Sequence, residues 1–107
     1  APLVMPLTPC AKKAGQPAST HARRYASGIA GSFPVLRAAT VPGKPADMNV
    51  VRVLANNAGV PTVVHHVAVG IDAEDAVYIV IVEAPRRQWE ASQASLEAMA
   101  NAFGLGP

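Results

Sequence analysis

The sequence predicts an α+β fold, an antiparallel β-meander sheet packed by an N-terminal and a C-terminal helix, and three observations carry that prediction. Apolar runs at 48–55, 61–69 and 76–83 are separated by Asn56-Asn57-Ala58-Gly59 and by Gly70-Ile71-Asp72-Ala73-Glu74-Asp75, segments rich in residues that turn a chain. Ahead of them, Ala22, Tyr25, Ala26 and Ile29 follow the three-and-four spacing of a helix. Behind them, Trp89, Leu96, Met99 and Phe103 form one apolar stripe. Together these elements describe an α/β/α sandwich.

The elements follow in order. Residues 1–18 are broken by four prolines and a lysine pair, so they read as an arm, in which Pro2 to Leu7 has the character of an edge strand where missing amides do no harm. Residues 19–107 read as a single sandwich domain. A helix is predicted at about 20–30, with Ser19 or Thr20 as its cap and Gly31 placed to end it. Residues 33–41 are extended, bounded by Pro34 and by the turn Val41-Pro42-Gly43-Lys44-Pro45. The three runs then make a meander of antiparallel neighbours. Val77-Tyr78-Ile79-Val80-Ile81-Val82 shows no polar alternation, which places this strand inside the sheet with both faces covered. Pro85 suits the first turn of the last helix, and Gly104 suits its end.

Composition narrows the function classes. A chain of 107 residues, half of them apolar, makes one domain with a modest core. Its net charge of +2 comes from dispersed pairs, and aromatics are only 5% of the chain, a poor basis for a nucleic-acid surface. No apolar run approaches the roughly 20 residues that span a bilayer. The single cysteine, Cys10, excludes an internal disulfide and a multi-thiolate zinc cage. Leu7-Thr8-Pro9 before it lacks the small residues that precede a lipid-anchor cysteine, so it reads as an unpaired thiol. The chain opens on Ala1 without a methionine, as a processed product or a fragment does.

The run Phe33-Pro34-Val35-Leu36-Arg37, the segment Val41-Pro42-Gly43-Lys44-Pro45-Ala46, the hairpin through Asn57 and Gly59, and Tyr78-Ile79-Val80-Ile81-Val82-Glu83-Ala84-Pro85 leading to Trp89 and Ala102-Phe103-Gly104-Leu105 carry a resemblance. In that order they resemble the C-terminal part of the PsbP-like sandwich family, the broad group of LpqN-like and DcrB-like proteins. The resemblance covers roughly residues 20–105. It implies an exported binding, assembly or chaperone-like module, and it hands no catalytic role to any residue here. Family members have further N-terminal strands, so the chain is expected either to be a truncated piece or to have its sheet edge covered by another chain.

Candidate chemical residues are few. His65 and His66 are strand neighbours and point to opposite faces, so they do not share a metal. His65, in line with Val63, Val67 and Val69, reads as a core histidine, and His66 reads as an exposed strand position. His21 lies at a helix start, far from both. Asp72, Glu74 and Asp75 crowd one turn without the spacing of an EF-hand, and pairing Glu83 with Asp75 as a catalytic dyad has no support from local pattern. No nucleotide fingerprint or nucleophile elbow occurs. Arg86, Arg87 and Trp89 open the last helix, where two cations oppose the helix dipole and an anionic partner would offset them. The expectation is therefore a non-enzymatic binding or assembly domain without metal or cofactor, touching another protein chain or a second copy through Arg86, Arg87, Trp89 and His66. Its alternative is a homo-oligomeric subunit paired through a sheet edge, and a small hydrolase or metal-binding protein comes third.

Overall fold

The computed structural model describes residues 3–9, 16–44 and 46–102, apart from the side chains of 3–9, 96, 97 and 99–102. Among these residues five strands and two α-helices follow one another as β1 (Leu3–Pro9), α1 (Ala18–Ser32), β2 (Val35–Val41), β3 (Met48–Asn57), β4 (Val60–Ile71), β5 (Ala76–Pro85) and α2 (Arg86–Ala102), with a 3-10 turn at Asp72–Glu74. The strands form one sheet in the order β1-β5-β4-β3-β2, every neighbouring pair antiparallel. This is the α+β fold expected, with β1 as an edge strand on β5 and β5 in the interior.

Strand parity separates two cores. Val63, Val67 and Val69 of β4 join Val50, Val80, Val82, Ala84 and Trp89 in one buried cluster. On the opposite face Ala68, Val77 and Ile79 meet Ala18 and Ala22, with Tyr25 and Ile81 packed against them. Helix α1 therefore covers one face and α2 the other, which explains why β5 has no polar side. Trp89 is 3% exposed, in keeping with its place on the expected stripe. The side chains of Leu96 and Met99, and Phe103 and Gly104 altogether, lie outside the described residues, as does Cys10. A non-helical residue, Ser92 (φ −128°, ψ 18°), interrupts α2 three residues beyond Trp89.

Local details differ from expectation for identifiable reasons. Neither Ser19 nor Thr20 caps α1; the cap position is Pro17, which offers no side-chain bond. The carboxylate of Asp72, in the turn that follows β4, takes that role, accepting the Ser19 N–H at 2.8 Å and its hydroxyl at 3.0 Å. A negative charge there also suits the helix dipole. Helix α1 runs past Gly31 to Ser32 and stops at Phe33 (φ −141°, ψ 156°), because Pro34 disfavours the helical conformation of the residue before it. Pro85 is the last residue of β5 and not part of the helical first turn. The β3–β4 hairpin closes on Ala58 and Gly59, both at positive φ (53° and 86°), as a two-residue hairpin turn matched to the sheet twist requires. Asn56 supports it by accepting the Gly59 N–H at 2.7 Å.

Candidate functional site: an apolar groove and edge at one end of the sheet

The site begins with how α1 sits on the sheet. At its N-terminal end the contact is backbone on backbone: a Cβ at Gly70 would collide with the carbonyl of Ala18. Ala18 and Ala22 are fully buried against this part of β4 and β5. Further along the helix the residues facing the sheet are Tyr25 and Ile29, too large for so close an approach. Between the C-terminal half of α1 and the sheet lies a groove of about 450 Å³, within the range of small-ligand sites. Ile29 and Phe33 form its helix side, and Val53, Ala55, Val64 and Ile81 its apolar floor. Among the described residues the polar side chains lining it are His66 and Glu83.

His66 is 6% exposed, not at the solvent-facing strand position expected for it, because α1 lies over this face. Its Nδ1 is 2.8 Å from the Tyr25 hydroxyl, with the rings 5.8 Å apart and tilted by 56°. Burial disfavours the charged imidazolium and lowers the His66 pKa from 6.5 to about 4. At neutral pH the ring is uncharged, one nitrogen donating and the other accepting. Glu83 is partly buried and has no hydrogen bond or ion pair among the described residues. It is the register partner of Val64, two positions from His66 on the same strand and face. The groove thus holds an apolar body, one neutral hydrogen-bonding ring and one carboxylate.

Beside the groove the sheet ends at β2. Phe33, Val35 and Leu36 are 42%, 44% and 47% exposed, and Val60 in the hairpin at this end is 48% exposed. Strand β2 pairs with β3 on one side, and among the described residues no strand lies on its other side. The opposite edge, β1, carries Pro6 and Pro9 and an irregularity between Met5 and Thr8, features that blunt an edge.

The remaining candidates fall elsewhere. His65 is 1% exposed on the α2 face, 5.5 Å from the Trp89 ring, and accepts from Arg52 Nε at 3.4 Å. Arg52 in turn lies 5.0 Å over the same indole. Trp89 and His66 are therefore buried on opposite faces of the sheet, away from Arg86 and Arg87. Those two are exposed beside a shallow notch with Val60, Pro61 and Pro85, and Arg86 pairs with Glu90 at 3.3 Å. Among the described residues no cluster of three metal-ligating side chains occurs, and no helix is long and apolar enough to cross a membrane. Glu74 accepts the Tyr78 hydroxyl at 2.7 Å, and Asp75 and Glu83 stand at opposite ends of β5. Sequence reasoning missed Tyr25, Glu83 and Leu36 as site residues. The signal for Tyr25 was the contrast on β4 between Ala68 and Gly70 on the His66 face and valines on the other, which marks where a helix comes close.

No known family model, curated protein or solved structure matches this chain.

Proposed function

We propose that this chain is a non-enzymatic binding domain that takes an extended segment of another protein chain alongside β2. The single observation that carries this reading is the β2 edge. It is a seven-residue strand without proline, apolar at Val35 and Leu36, exposed from Val35 to Ala38 and at Thr40 and half-buried at Ala39 and Val41. Such an edge offers main-chain donors and acceptors to an added strand, with side-chain contacts on alternate residues giving selectivity. An exported assembly role belongs to the same proposal and rests on the sequence resemblance of residues 20–105 to the PsbP-like sandwich.

Strand β2 contains one charged residue, Arg37, and no acid. Antiparallel pairing with a second copy about the strand midpoint, Ala38, would set two Arg37 side chains diagonally on one face at roughly 7–8 Å, an unfavourable approach of like charges. A foreign segment with apolar residues alternating with acids avoids that cost. The homo-oligomeric reading is accordingly second.

Selection from a display library of random linear peptides, followed by hydrogen exchange of the bound complex, tests the proposal. Enriched peptides are expected to alternate apolar and acidic residues, to slow exchange of the β2 amides, and to lose binding to Leu36→Lys. Peptides that protect amides elsewhere, or β2 protection that rises with protein concentration in the absence of peptide, would count against a foreign strand.

A further inference from the structure

The groove under the C-terminal half of α1 is separate from the hydrogen-bonding edge of β2, and its chemistry points to its own ligand. We infer that it binds a small apolar amine, hydrocarbon body on Val53, Val64 and Ile81 and ammonium on Glu83, with His66 as the neighbouring hydrogen-bond partner.

The argument is one of complementarity. Among the described residues Glu83 is the only charged one lining the groove, and no donor among them meets its carboxylate. A neutral hydrocarbon entering here would strip water from that carboxylate without replacing its hydrogen bonds, a penalty characteristic of buried polar groups. An anion would add repulsion to the same loss. An ammonium both neutralises the charge and donates to it, and such charge-assisted bonds are the strong ones. Position supports the pairing: Glu83 stands opposite Val64 across the β4–β5 ladder, and His66 is two residues along β4 on the same face, about 7 Å away. One ligand head group therefore reaches both. Tyr25 holds the imidazole from behind, and burial keeps it uncharged, so His66 does not repel a cation at neutral pH.

Three probes of one shape discriminate the chemistry: phenylbutylamine, phenylbutanol and phenylbutyrate, titrated calorimetrically at neutral pH and physiological salt. The amine is expected to bind saturably, at least about tenfold tighter than the alcohol (a difference of roughly 1.4 kcal/mol), and the acid not at all. Glu83→Gln should bring amine and alcohol to equal affinity, and Ala55→Phe, which fills the groove, should remove both. Chemical-shift mapping on the unaltered protein should place the amine on the methyl groups of Val53, Val64 and Ile81. Absence of binding by all three probes, an amine preference that survives Glu83→Gln, or shifts confined to other methyl groups would overturn the inference. Peptide binding at β2 should persist in Glu83→Gln, so failure at either site is read independently of the other.

Discussion

The two ends of the sheet are built from the same strands and packed differently. At one end, α1 rests on β4 through Gly70 and Ala18, its first turn is tied to Asp72, and Tyr78 is tied to Glu74. At the other end, the same helix stands over a groove, and Phe33, Val35, Leu36 and Val60 face solvent. The difference arises from side-chain size along one helical stripe, alanines first and then Tyr25 and Ile29. One end is closed by direct helix-on-sheet packing, and the other keeps a groove and an exposed apolar edge.

The largest effect should show that the open end is open on one face only. Trp89 lies at that end beneath Arg52 on the α2 face, and Trp89→Ala should cost about 3–5 kcal/mol in denaturant unfolding. A cost below about 1 kcal/mol would mean that both faces are loosely packed there. Acid should act next, through His66 at the boundary between the packed and open regions. Its folded pKa of about 4 lies below the unfolded value of 6.5, so the unfolded chain takes up the proton first. Stability is unaffected by this group above pH 6.5, declines as pH falls from 6.5 towards 4, and loses up to roughly 3 kcal/mol in total. Urea midpoints across that window should slope in the native sequence and flatten in His66→Gln.

Gly70→Ala probes the packed end directly. Because the added methyl meets backbone and not a yielding side chain, a loss of about 1–3 kcal/mol is expected, together with faster exchange in the first half of α1. An unchanged melting temperature would show that α1 is not seated there. The smallest effect belongs to the open edge: Val35→Thr with Leu36→Ser should move stability by no more than about 0.5 kcal/mol, while abolishing capture of a peptide strand.

Much of this architecture was legible beforehand, because period and punctuation act locally. The apolar run 77–82 announced a strand covered on both faces, and Asn56-Asn57-Ala58-Gly59 announced its hairpin. What escaped depends on partners distant in the chain. The cap of α1 comes from Asp72, 53 residues away from Ser19, and no local pattern at Ser19 or Thr20 reveals it. His66 looked exposed because its strand neighbours Thr62 and Val64 do not indicate a helix overhead; Tyr25, 41 residues earlier, supplies the cover. Arg86, Arg87 and Trp89 formed one cluster in sequence, but the first turn of α2 directs Trp89 inward and the arginines outward. The groove was invisible for the same reason, since it is the gap left where a helix and a sheet of separate origin part company.

Native-state hydrogen exchange on the free chain tests the division between the two ends most directly. Amides of Ala22 through Ala26 in α1 and of Ala68, Val69, Val77 and Ile79 in the sheet should exchange only through global unfolding, while those of β2 and the last turn of α1 should open at markedly lower free energy. Equal protection at both ends, or a first half of α1 that opens before β2, would contradict it.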